Sequence, residues 1–130
     1  MIVRDAMNSS VITLRETDSV LVGLKALVQH GINGAPVLSS DARLVGIVTE
    51  FDIIHAIREG KTVETTTAEA IMTTEVASVD INDPVEKVID ILDTRHVLRV
   101  PVTERGKLVG VISRPDILRA FIEPNFMTFD

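Results

Sequence analysis

A chain of 130 residues with 45% hydrophobic and 25% charged side chains is long enough for one domain with its own core, unless internal repeats divide it. Thirteen basic against nineteen acidic side chains leave a net charge of −6, which disfavours nucleic acid, because a phosphate backbone selects a basic surplus. The absence of Cys excludes disulfides, thiolate metal sites and Cys nucleophiles; without Trp or Tyr, and with four Phe, the core must be built from Val, Ile, Leu and Ala.

The opening "MIVRDAMNSS" carries charge at once and has no apolar h-region, so it does not read as a signal peptide. The longest apolar stretch, "SVLVGLKALV", is interrupted by Lys25 and is too short to span a bilayer. The expectation is a soluble cytoplasmic protein. A short extended piece, Val11–Leu14, precedes a helix capped by Asp18, with Val20, Leu21, Leu24, Leu27 and Val28 as its apolar stripe and Gly31 as its stop. "APVLSSDARLVGIV" then reads as strand, turn, strand, followed by a second helix with Ile53, Ile54 and Ile57 before Gly60. The polar run "REGKTVETTT" forms a join.

Beyond the join the same order returns. Val76–Val79 is extended, Asp83 caps a helix with Pro84 at its first position, and Val85, Val88, Ile89 and Leu92 form the stripe. "VPVTERGKLVGVIS" is the hairpin, with Gly106 in its turn, and Ile117, Leu118 and Phe121 mark the last helix before Pro124. A shift of 65 residues lays Ala6–Val20 on Ile71–Val85; after one residue drops out of the turn, a shift of 64 lays "LVGIVTEFDIIHAI" on "LVGVISRPDILRAF". The predicted fold class is α/β (α+β), two β-α-β-β-α repeats related by a pseudo-two-fold. Copy one covers residues 1–58, the linker 59–67, copy two 68–122 and a C-terminal tail 123–130. In the tail, Phe126, Met127 and Phe129 either close the core or meet another subunit or protein.

Each hairpin ends in a Gly, a hydroxyl and an Asp: "GIVTEFDI" from Gly46 and "GVISRPDI" from Gly110. Thr49-x-x-Asp52 and Ser113-x-x-Asp116 have the form of capping boxes, in which hydroxyl and carboxylate satisfy each other's backbone N–H. The same atoms suit a ligand, since a hydroxyl and free amides at a helix start favour phosphate.

Tandem β-α-β-β-α copies that carry this phrase, with "VRDAM" ahead of the first strand and "GINGAPV" leading into the hairpin, resemble a pair of CBS domains, the Bateman module; the likeness runs from about Val3 to Ile122. The resemblance implies a regulatory, ligand-sensing module that binds AMP, ADP, ATP or S-adenosylmethionine in clefts between the copies and needs no other cofactor. It implies an Asp that takes the ribose hydroxyls. Carried over, it gives copy two a cleft with Ser113, Asp116, Arg99 and Arg114 for phosphate and ribose, and Met7, Ile12, Ile32, Asn33 and Val111 for the base. Copy one would use Thr49 and Asp52, with Met72, Ala77, Val97, Leu98 and Ile47 as the base pocket. Gly34 stands where copy two has Arg99, and Glu50 where it has Arg114, so a phosphorylated ligand should prefer copy two. The resemblance also implies a homodimer; with no effector domain in the sequence, the output is expected to act in trans on a protein partner or through self-association.

"GING" (Gly31–Gly34) has the form of a nucleic-acid-clamping GxxG loop, but it leads into a strand rather than a helix. His30, His55 and His96 have no metal-ligand spacing, and no nucleophile lies beside a base, so neither a metal site nor an enzyme is expected. The alternative to a sensor is a ligand-free scaffold or dimerisation module whose repeated phrases are capping boxes alone.

Overall fold

The computed structural model describes residues 1–123, so the expectations for Phe126, Met127 and Phe129 lie outside the described residues. Along the chain run α1 (Val3–Ala6), β1 (Leu14–Arg15), α2 (Val20–His30), β2 (Gly34–Leu38), β3 (Leu44–Thr49) and α3 (Glu50–Arg58). The order repeats as α4 (Ala68–Ile71), β4 (Val79–Asp80), α5 (Val85–Arg95), β5 (Arg99–Glu104), β6 (Lys107–Ser113) and α6 (Arg114–Ala120). This is the α+β duplication expected, with a short helix added ahead of each copy.

Two compact units form: Ile12–Val76, and Met1–Val11 together with the chain from Ala77 onward. In the first, β1 pairs parallel with β2, and β2 pairs antiparallel with β3. Its core is Leu14, Val20, Leu27, Ala35, Val37, Val48, Ile53 and Ala68. In the second, β4, β5 and β6 repeat the arrangement over Val3, Val79, Ile81, Val85, Val88, Val100, Val102, Ile112 and Ile117. Each buried Val or Ile contributes about 1.5–3 kcal/mol, so an all-aliphatic core suffices.

Each unit takes its arm from the segment that leads into the other copy. The Val3 N–H donates to the Asp83 carbonyl at 2.8 Å and the Arg4 N–H to that of Ile81 at 3.0 Å. At the equivalent places, the Ala68 N–H donates to the Asp18 carbonyl at 2.7 Å and the Glu69 N–H to that of Glu16 at 3.0 Å. Val3 and Ala68 are fully buried at these docking points. The polar join contributes too, since the carbonyls of Val63 and Thr66 accept the N–H groups of Leu21 and Val20.

Several local expectations are corrected. Only Leu14–Arg15 and Val79–Asp80 pair as strands; Val11–Thr13 and Val76–Ser78 precede the paired residues. Ser19, not Asp18, caps α2 by accepting the Val22 N–H, because the Asp18 carboxylate is taken by the Arg15 N–H at 2.8 Å. Pro84 occupies the cap of α5, and Asp83 turns back to the Asp80 N–H at 2.8 Å. Val28 is 72% exposed rather than buried, and Ile54, Ile57 and Leu118 also face solvent. The hairpin turns explain the change of shift. Copy two turns on two left-handed residues, Arg105 (φ 55°) and Gly106 (φ 82°), whereas copy one uses a longer turn with Ala42 at φ 66°.

Gly31 ends α2 at φ 62°, and its counterpart His96 ends α5 at φ 53°, a conformation that crowds a Cβ. His96→Gly is expected to stabilise the fold by about 0.5–1 kcal/mol, read as a higher urea midpoint at unchanged m-value.

Candidate functional site

In each copy the last residue of the second hairpin strand is also a helix N-cap: Thr49 for α3 and Ser113 for α6. The Ser113 hydroxyl accepts the Asp116 N–H at 3.4 Å, while Asp116 Oδ2 accepts the Ser113 N–H at 2.9 Å and its hydroxyl at 2.8 Å. The Thr49 hydroxyl accepts the Asp52 N–H at 3.2 Å, and Asp52 Oδ2 accepts the Thr49 N–H at 2.9 Å and its hydroxyl at 3.0 Å. Both capping boxes therefore form, each centred on one carboxylate oxygen.

The copies part at the other oxygen. Asp116 Oδ1 accepts from the Arg119 guanidinium at 3.0 Å, and Arg119 also meets Glu123 at 3.4 Å. Asp52 Oδ1 instead accepts the Thr73 hydroxyl at 3.1 Å. Neither Arg119 nor Thr73 was singled out in the sequence. Arg119 lies three residues past Asp116 on a helix, a spacing that signals a pair. Thr73 lies 21 residues from Asp52 and gives no local signal.

The glycine of each phrase is required by space, not by a left-handed φ. A Cβ on Gly46 would lie 2.6 Å from Met72 Sδ and 2.9 Å from the Thr73 carbonyl oxygen; one on Gly110 would lie 2.8 Å from Met7 Sδ and 3.0 Å from the Asn8 carbonyl oxygen. Backbone pairs Ile47↔Thr73 and Asn8↔Val111 hold the arms at that distance. Met7 and Met72, assigned to base pockets, thus pack on these glycines.

Antiparallel register sets Arg99 opposite Ser113 and Gly34 opposite Thr49. Arg99 Nε is buried and meets no acceptor, alone in this among the buried side-chain nitrogens and oxygens of the described residues. Cβ on Gly34 would touch its nearest neighbours, Thr49 Cγ2 and the Val48 carbonyl, at 3.5 Å, an ordinary contact, so no steric demand explains the missing cation.

Of the copy-two assignments, Ser113, Asp116, Arg99, Arg114, Met7 and Val111 share one unit, with the Arg114 side chain exposed. Ile12, Ile32 and Asn33 belong to the other unit, where Ile32 packs against the core and the Asn33 carbonyl accepts the Glu50 N–H at 3.1 Å. Of the copy-one assignments, Thr49, Asp52, Ile47 and Met72 lie together, whereas Ala77, Val97 and Leu98 belong to the unit that starts at Ala77. There the Leu98 carbonyl accepts the Arg114 N–H at 3.1 Å. Asp116 lines an open groove of about 740 Å³ with Asp5, Met7, Asn8, Ser9 and Arg119.

His30 and His96 stand at helix ends, and His55 pairs with Glu59 at 2.6 Å. No group of three or more His, Cys, Asp or Glu among the described residues is placed to hold a metal ion. No helix among them is long and apolar enough to cross a membrane.

The duplicated unit, its capping phrase and its arm are those of a tandem CBS pair. The CBS domain family matches residues 3–59 and 68–123, and the chain belongs to that family. It is similar to Hypoxic response protein 1 of Mycobacterium tuberculosis, 29% identical over 127 residues that make up 97% of this chain and 89% of that protein. Among solved structures it resembles the CBS domain pair of protein MJ0100 in complex with 5′-methylthioadenosine and S-adenosyl-L-methionine, at TM-score 0.78 and 31% identity over 93% of this chain and 99% of that one. It also resembles CBSX2 in complex with AMP, at TM-score 0.85 and 26% identity over 95% and 98% of the two chains.

Proposed function

We propose that this CBS pair is a regulatory module that senses an adenosine-containing ligand, and that a phosphorylated one is held by copy two through Arg99, Ser113 and Asp116. The observation that carries the proposal is Arg99 Nε, buried beside Ser113 with no acceptor. A buried guanidinium N–H without an acceptor is costly, and an anion bound there offsets that cost with a charge-assisted hydrogen bond. Ser113 supplies a hydroxyl at the same place, and Asp116 supplies a carboxylate for the ribose diol. Copy one has Gly34 in place of the cation and Glu50 in place of Arg114, which suits a less anionic ligand. The bound forms of MJ0100 and CBSX2 support AMP or S-adenosylmethionine within that ligand class, to which we add ADP and ATP.

The module acts on a protein partner in the cytoplasm rather than as a catalyst, since Asp52 and Asp116 occupy equivalent capping positions and not the two roles of an acid and a base. It forms a homodimer. Phe51, Ile54 and Leu118 are 81%, 61% and 68% exposed on α3 and α6, with Ile54 and Leu118 at equivalent places, and such apolar helix faces are covered in assemblies. By linkage, a partner that responds to the ligand must alter the ligand's affinity equally.

A thermal-shift screen tests the function. A ligand that binds only the folded state raises the melting temperature as RT ln(1 + [L]/Kd). AMP, ADP, ATP or S-adenosylmethionine is expected to do so. Failure of all of them, and of NAD, at millimolar concentration favours the ligand-free scaffold.

A further inference from the structure

We infer that the Thr73 hydroxyl is a built-in occupant of the copy-one site, competing with a ligand hydroxyl for Asp52, and so determines which copy binds. The inference rests on the ligand-sensing reading above. Asp52 has both oxygens engaged: Oδ2 by the Thr49 N–H and hydroxyl, and both Oδ1 and Oδ2 by Thr73, at 3.1 and 3.3 Å. A neutral O–H donated to a carboxylate is the contact that a ribose hydroxyl would make.

The Thr73 main chain is also fixed. The Thr73 N–H donates to the Ile47 carbonyl at 2.8 Å and the Ile47 N–H to the Thr73 carbonyl at 2.9 Å. Gly46 leaves the room that Met72 and the Thr73 carbonyl occupy, since a Cβ there would collide with both. The main chain that carries the donor is thus held in place beside Asp52.

Copy two has the same backbone pairing but a different side chain on it. Asn8 exchanges N–H and carbonyl bonds with Val111 at 2.8 and 2.9 Å, yet its side chain accepts the Ser10 N–H at 2.9 Å. Asp116 Oδ1 is met by Arg119, whose side chain is 52% exposed and shared with Glu123. The guanidinium end of that pair is exposed on a long side chain, so it yields to an incoming diol at small cost. The Thr73 hydroxyl, carried on a fixed main chain, must first be displaced, and apparent affinity falls by the fraction of time the site is free.

Calorimetry with adenosine tests this, because adenosine carries no phosphate and the missing copy-one cation is then not the variable. In an Asp116→Ala background, Thr73→Val is expected to raise adenosine affinity about five- to ten-fold, the worth of one hydrogen bond, and Thr73→Ser to leave it unchanged. In the otherwise wild-type protein, Asn8→Thr is expected to weaken AMP binding at copy two by a similar factor. Unchanged or weakened adenosine binding in Thr73→Val, while the wild type still binds AMP, overturns the inference and leaves the function standing. If the wild type binds neither AMP nor adenosine, the function falls and the inference with it.

Discussion

Asp116→Ala is expected to weaken AMP binding by about 100-fold or more, and Asp52→Ala to leave it within about two-fold of wild type. The asymmetry follows from what each carboxylate supports. Asp116 is the ribose acceptor in the copy whose Ser113 stands across the sheet from Arg99, with its acceptor-free Nε, so its loss removes the ribose contact at the site that carries the cation. Asp52 supports Thr49, which faces Gly34 and has no cation across the sheet. Because Asp116 also caps α6, Asp116→Ala costs about 1 kcal/mol of stability; Asp116→Asn, which keeps an acceptor for the cap but loses the charge, separates the two effects. Isothermal titration calorimetry reads the difference. If Asp52→Ala abolished binding and Asp116→Ala did not, the ligand would belong to copy one.

Gly46→Ala and Gly110→Ala are each expected to destabilise the fold by about 1–3 kcal/mol through overpacking, with the larger loss at Gly46. At Gly46 the added carbon would meet Met72 Sδ at 2.6 Å and the Thr73 carbonyl at 2.9 Å; at Gly110 the contacts are 2.8 and 3.0 Å. The thioether can move, but the carbonyl is tied into a strand pair and moves only if that pairing loosens. Urea unfolding of both variants checks this. Wild-type midpoints in both would mean that close approach of the arm is not what requires glycine.

The parts of this molecule legible in its sequence are those set by neighbours within a few residues. The duplication, the hairpins around Gly106 and the capping boxes at Thr49/Asp52 and Ser113/Asp116 depend on i, i+3 spacing, strand alternation and turn residues. Local rules also misled: Asp18 and Asp83 look like caps, but the N–H groups of Arg15 and Asp80 claim their carboxylates and the caps pass to Ser19 and Pro84. The short helices α1 and α4 were not legible, because four residues carry no periodicity. Their docking depends on Val3 and Ala68 reaching the core of the unit built from the other copy. Thr73 was hidden for the same reason. Its importance comes from a hydroxyl brought to Asp52 by a long-range strand pairing, and Thr is unremarkable anywhere else. The apolar residues of the helices are not all buried, since Val28 and Ile54 face out; periodicity shows that a face is apolar, not what covers it.

The most direct test of the central claim is a crystal structure of the protein grown with AMP. The phosphate is expected within hydrogen-bond distance of the Arg99 guanidinium and the Ser113 hydroxyl, with the ribose on Asp116. AMP bound instead at Thr49 and Asp52, with Arg99 Nε still without an acceptor, would contradict it.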